Sequence, residues 1–356
     1  MNWNDKSNLI QSDPVTCARH FDYMFRRFLN DFLYSSYHPI GEIIDDFYRV
    51  EFQQRGSPHI HMLVWVKDAP LYGNAAATDI VSFIDQYVTC NKPPDTVNQT
   101  VNLQSHSHAK TCRKKRQGVC RFGFPIPPMP RTMILVPLEG KVDENITELY
   151  QCIKAYMDDL KLAENITDTF EDMLTKLETT ENDYIIAIRS SITSDKIFLK
   201  RSPSEVRING YSSVLLETWK ANMDYSSVLD PYACAMYIVS YISKGQRGMS
   251  NLMQRATTEA REGNTDIKQQ VRHIGNKFLN HVEMSAQEAV YLVLQMSLRK
   301  ASRQFVFVNT SPPEDRTILM KPLNIFITCQ ITLQILNVWD LSGSMLSDLK
   351  HFIIIA

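Results

Sequence analysis

The sequence predicts an α+β protein with an antiparallel hairpin, one strand of which carries a His-x-His pair, and helices on the flanks. The first observation is residues 45–66, DDFYRVEFQQRGSPHIHMLVWV, two runs of strand-forming residues around Arg55-Gly56-Ser57-Pro58 turn chemistry. The second is helical spacing on both sides of that hairpin. Phe21, Phe25, Phe28 and Phe32 form one stripe, and Asp230-Pro231 opens another helix. The third is composition. The chain has 356 residues, 44% hydrophobic and 22% charged, which suits one large or two ordinary globular domains.

Residues two apart on a strand share a face, so His59 and His61 project together while Ile60 turns to the opposite layer. A hairpin symmetric about Gly56 sets Glu51 opposite His61 and Gln53 opposite His59. Glu51, His59 and His61 then make a two-imidazole, one-carboxylate set that leaves positions open for water or a substrate oxygen. The plain alternative is a polar strand face.

The remaining elements follow in order. Asp13-Pro14 is an N-cap with Pro at the first helical position, ahead of the phenylalanine stripe. Residues 37–41, YHPIG, break the chain before the hairpin, and 78–88 read as a helix ended by Pro93 and Pro94. Residues 125–130 are too rich in proline for regular structure. Residues 143–162 and 165–177 read as two helices, and 185–199 have strand character. Residues 213–223 read as a helix or strand ending in Trp219-Lys220-Ala221-Asn222. Ser285-Ala286-Gln287-Glu288 is a capping box, and 304–309 a short strand. From about residue 323 the sequence is apolar without a pattern.

Residues 106–120 form a basic loop rich in Cys and His. A His-x3-Cys step with a further Cys has zinc-ligand spacing, and the preferred set is Cys90, His108, Cys112 and Cys120, with His106 as the substitute. A structural zinc would order this loop; the alternative is a solvated loop with free thiols. Lys114, Lys115 and Arg116 suit phosphate contacts, and Arg55 at the hairpin turn joins them as an expected DNA contact. The net charge of −1 gives no global basic field, yet local patches decide nucleic-acid binding.

Seven cysteines without framework spacing and a polar N-terminus fit a reducing, intracellular setting. No run of about 18 apolar residues occurs, so no membrane partner is expected.

Residues 230–245, DPYACAMYIVSYISKG, add the second half of a site. Tyr237 and Tyr241 lie four apart on one helical face, with Lys244 three beyond. A tyrosine hydroxyl can attack a phosphodiester if a metal polarises the scissile phosphate, and a second tyrosine can accept a second strand. Aromatic core packing would use the same spacing.

The chain resembles the Rep nuclease portion of Helitron rolling-circle transposases, a branch of the HUH (His, hydrophobe, His) endonucleases. The matching residues are VEFQQRGSPHIHMLVW at 50–65, HAKTCRKKRQGVCRFGFP at 108–125, WKANMD at 219–224, YIVSYISKG at 237–245 and the stretch 285–316. The resemblance spans roughly residues 8–322. It implies an HUH endonuclease-like fold, a central antiparallel sheet carrying the histidines with the tyrosine helix packed beside it. It also implies His59 and His61 as metal ligands, Glu51 as the third, and Tyr237 and Tyr241 as the nucleophile pair. The implied cofactor is Mg²⁺ or Mn²⁺, and the implied substrate is single-stranded DNA at transposon ends. The expected partner is the helicase domain of full-length members, and the expected compartment is the nucleus.

Residues 1–322 are therefore read as a Helitron helicase-like domain with 86–200 as an insertion, and 323–356 as a divergent, truncated tail. No G-x-x-x-x-G-K-[ST] occurs, so the chain is read as a fragment without ATPase activity. Tyr225-Ser226 departs from the apolar-Gln pair of relatives. The rival readings are an inactive DNA-binding remnant and a two-His-one-carboxylate iron oxygenase.

Overall fold

The computed structural model describes residues 3–53, 56–92, 99–108, 112, 120–160, 166–242, 269, 272, 284–304 and 352–355. Its architecture is mixed α and β: helices surround a five-stranded sheet, and a second sheet has two strands. No helix among the described residues is long and apolar enough to cross a membrane.

Two helices open the chain, α1 (Trp3–Ser12) and α2 (Pro14–Arg27). The Asp13 carboxylate accepts from the Thr16 amide at 3.0 Å, and Pro14 occupies the first helical turn, where its missing N–H costs nothing. The chain continues as a π-helical segment, Phe28–Leu33. The phenylalanine stripe packs inward. Phe25 meets Tyr48 edge to face at 4.9 Å, and Phe28 lies 5.1 Å from Trp219.

The hairpin pairs β1 (Ile43–Phe52) with β2 (Pro58–Val66). Its register differs from the symmetric expectation by two residues: Glu51 faces His59, Arg49 faces His61, and Gln53 binds the Ser57 carbonyl through its amide. The cause is the position of Gly56. It stands at φ +79° with its amide on the Gln53 carbonyl, so it closes the loop instead of forming the apex. The hairpin centre therefore falls one residue earlier.

Tyr48, Val50, Phe52, Met62, Val64 and Val66 turn to one face and join the main core with Phe25, Leu29, Leu33, Leu215 and Leu216. Each such fully buried apolar side chain contributes about 1.5–3 kcal/mol, which anchors this face. The opposite face holds Phe47, Arg49, Glu51, His59, His61, Leu63 and Trp65 by strand alternation and register.

Three further strands complete the sheet: β5 (Tyr225–Ser227), β6 (Arg299–Ala301) and β7 (Phe352–Ile355). The strand order is β5-β7-β2-β1-β6, and every neighbouring pair is antiparallel. Residues 352–355, within the stretch read as a divergent tail, thus pair between β2 and β5. Residues 305–309 of the strand expected at 304–309 lie outside the described residues; β6 is the strand described just upstream of them.

Helices α3 (Ala77–Tyr87) and α4 (Gln99–Asn102) follow the hairpin. A second hydrophobic cluster then forms from α5 (Glu144–Asp159), α6 (Phe170–Lys176) and α7 (Glu181–Ser190) against the small sheet of β3 (Met133–Leu135) and β4 (Lys196–Phe198). Here the strand reading of 185–199 is corrected in part: residues 185–190 belong to α7, and only Lys196–Phe198 form a strand. Thr180 caps α7 by accepting from the Asp183 amide, and Tyr184, Ala187 and Ile188 are buried at helical spacing. That packing overrides the β preference of the isoleucines.

Helix α8 (Ser213–Trp219) ends where Lys220 turns left-handed at φ +57°. Helix α9 (Pro231–Ile242) starts at Asp230, whose carboxylate accepts from the Tyr232 and Ala233 amides at 2.9 and 3.0 Å. Helix α10 (Ala286–Val293) is capped by Ser285, which accepts from the Glu288 amide at 3.2 Å.

Candidate active site

Helix α9 lies over the histidine-bearing face of the sheet. Leu63 and Cys234 are buried there together, with Phe47, Trp65, Val228 and Tyr237 packed against them. The Tyr237 ring stands 5.8 Å from the His61 ring in an edge-on arrangement, and His59 and His61 rings are 5.0 Å apart. The hairpin and the tyrosine helix, about 180 residues apart in sequence, thus meet at one place.

His61 is 1% exposed, and its Nε2 lies 2.8 Å from Glu51 Oε2. The contact is diagonal across the hairpin, which long side chains span. Two donors about 2.1 Å from one ion at right angles are about 3.0 Å apart, so the Glu51–His61 spacing fits a shared hard cation. The full trio is looser. Among the described residues, Glu51, His59 and His61 do not bring a ligand atom each within 4.8 Å of one another.

Three residues around this face, Arg49, Arg299 and Glu288, escaped the sequence reading. Arg49 sits opposite His61 on one side and opposite Arg299 of β6 on the other. Alternation from Glu51 would have found Arg49; nothing local announces Arg299. The Glu288 carboxyl is the third addition. Burial raises its pKa, Arg49 counteracts that, and Glu51 adds to it, so all three share one electrostatic neighbourhood. The capping box expected at 285–288 has only its serine arm.

Tyr241 lies one turn beyond Tyr237 in α9. Lys244, Arg55, Lys114, Lys115 and Arg116 lie outside the described residues, as does the side chain of Tyr241. A cleft of about 860 Å³ opens beside Tyr237, with Asn209, Ser226, Ser227 and Lys196 among its walls.

A second group gathers elsewhere: His106, His108, Cys112 and Cys120 each place a ligand atom within 4.8 Å of the others. Cys90 is not among them. Its thiol donates to the Lys200 carbonyl at 3.1 Å, and burial pushes its pKa up to about 11. The expected set is corrected accordingly, with His106 replacing Cys90.

Comparison with known families now bears on residues 2–64, which match the model described as Helitron helicase-like domain at N-terminus. The match takes in α1, α2, β1 and β2 up to Val64, and with them Glu51, His59 and His61. No curated protein and no solved structure matches the chain.

Proposed function

We propose that the chain cuts and rejoins single-stranded DNA for a rolling-circle transposon, through a phosphotyrosine intermediate. The carrying observation is the Tyr237 ring against His61, with Glu51 bonded to the same imidazole. The Helitron helicase-like match over residues 2–64 supports a transposase-related role.

In this reading Glu51, His59 and His61 would hold Mg²⁺ or Mn²⁺. When bound, that ion draws charge from the scissile phosphate. Tyr237 would attack phosphorus through Oη. The new P–O bond forms as the P–O3′ bond breaks, and the phenolic proton passes, through an acceptor or water, to the departing 3′-hydroxyl. The 5′-phosphate stays on the tyrosine, so the energy of the broken diester is kept for rejoining. Tyr241, one turn away, would take the second strand, and Lys244 would neutralise phosphate.

Arg49 and Arg299 support the choice of an anionic substrate. Facing each other across β1 and β6, the two guanidinium groups are proposed to contact phosphate. Arg55, Lys114, Lys115 and Arg116 are proposed to extend the DNA contact.

The test is a nicking assay on end-labelled single-stranded DNA with Mn²⁺. The wild type should cleave, and His59→Ala with His61→Ala should remove cleavage while far-UV circular dichroism stays unchanged. Equal cleavage by a folded double variant would overturn the metal assignment. No cleavage by the folded wild type under any divalent ion would overturn the nuclease reading.

A further inference from the structure

His106, His108, Cys112 and Cys120 sit outside every helix and strand of three or more residues, yet they converge. Cys112 Sγ is 3.6 Å from His108 Nδ1, and Cys120 Sγ is 3.4 Å from His106 Nε2. Tetrahedral zinc with Zn–S of about 2.3 Å and Zn–N of about 2.0–2.1 Å sets sulfur and nitrogen ligands about 3.6 Å apart. Thiol–imidazole hydrogen bonds would account for each pair separately. They give no reason for the two pairs to lie within 4.8 Å of one another.

The surroundings hold these ligands in place. The His106 amide donates to the Arg207 carbonyl at 2.8 Å, and the His106 ring stacks on Phe124 at 4.4 Å and 7°. The Arg121 amide donates to the Cys112 carbonyl at 2.9 Å, and the Gly123 amide to the Cys120 carbonyl at 3.1 Å. Ile126 is tied to Val206 by a further 2.8 Å bond. Both thiols are buried, and Phe124 and Ile126 cover them. Four protein ligands with no open position make a structural site, not a catalytic one.

We infer that His106, His108, Cys112 and Cys120 bind one zinc ion, which fastens these four residues and the segment 120–126 to the turn at 205–208. Binding takes up both sulfurs as thiolates and releases their two protons. The site is separate from Glu51, His59 and His61, none of which carries sulfur.

Cobalt tests this without any substitution. The full chain, stripped with a chelator and reloaded with Co²⁺, should show the intense visible bands of tetrahedral cobalt together with thiolate-to-cobalt charge transfer. An octahedral spectrum, or one without the thiolate band, would overturn the site even if metal binds at the histidine face. Elemental analysis of the zinc-loaded chain then assigns the ligands. His106→Ala and Cys112→Ser should each lose the sulfur-bound equivalent, whereas Cys90→Ser should keep it. Loss in Cys90→Ser with retention in His106→Ala would overturn the assignment.

Discussion

Gly56 sets the hairpin register, and its replacement should be costly for two separable reasons. At φ +79° an alanine meets left-handed strain of about 1–2 kcal/mol. An added Cβ would also fall 2.0 Å from Gln287 Oε1 and 2.4 Å from its Cδ. Gln287 cannot simply step aside. It is 4% exposed, and its Nε2 donates to the Ile10 carbonyl at 2.8 Å. Displacing it leaves buried polar groups unmatched, at about 1–3 kcal/mol. Gly56→Ala should therefore cost about 2–5 kcal/mol, the sum of those ranges. In a Gln287→Ala background only the backbone strain remains, so the second alanine should cost about 1–2 kcal/mol. Urea unfolding of the four proteins of this cycle, compared at equal m, measures the coupling. A coupling of about 1–3 kcal/mol is expected. Additivity within about 0.5 kcal/mol would refute the proposed contact between the loop and α10.

Other outcomes follow from the same geometry. Burial and then Asp230 push the Cys234 thiol up to about 11, so it should resist alkylation at pH 8 while exposed Cys152 reacts; early labelling of Cys234 would show that α9 does not cover Leu63. Arg299→Ala should weaken single-stranded DNA binding and lower the salt slope by about 0.7, one phosphate contact, as measured by fluorescence anisotropy at several salt concentrations; an unchanged slope would remove Arg299 from the interface. With no phosphate-cradling Gly-rich loop in its sequence, the chain should not hydrolyse ATP, and DNA-stimulated phosphate release by the purified protein would contradict that reading.

Much of this arrangement was legible because local signals were strong. Asp13-Pro14 and Asp230-Pro231 place helix starts, and HIHMLVWV reads as a strand whose alternate residues part to two faces. The hairpin register was not legible from symmetry, since a glycine in a turn can be its apex or its closing residue, and only the Gln53–Ser57 pairing distinguishes them. Residues 185–190 were misread because isoleucine favours strands while the burial of Tyr184, Ala187 and Ile188 favours a helix. Cys90 and His106 were ranked in the wrong order for a related reason. Both lie within reach of Cys112 in sequence, but Cys90 is drawn to the Lys200 carbonyl. Arg299 and Glu288 reach the site only through long-range pairing and packing, which leaves no trace in local sequence.

The most direct measurement is the position of a covalent bond. The full chain, incubated with Mn²⁺ and a single-stranded transposon end, should form a protein–DNA adduct that survives denaturation. Peptide mass spectrometry should place it on Tyr237 or Tyr241, and changing both to Phe should abolish it. An adduct on Tyr225 or Tyr232, or cleavage that persists in the double Phe variant, would contradict attack from the face of α9 that meets His61.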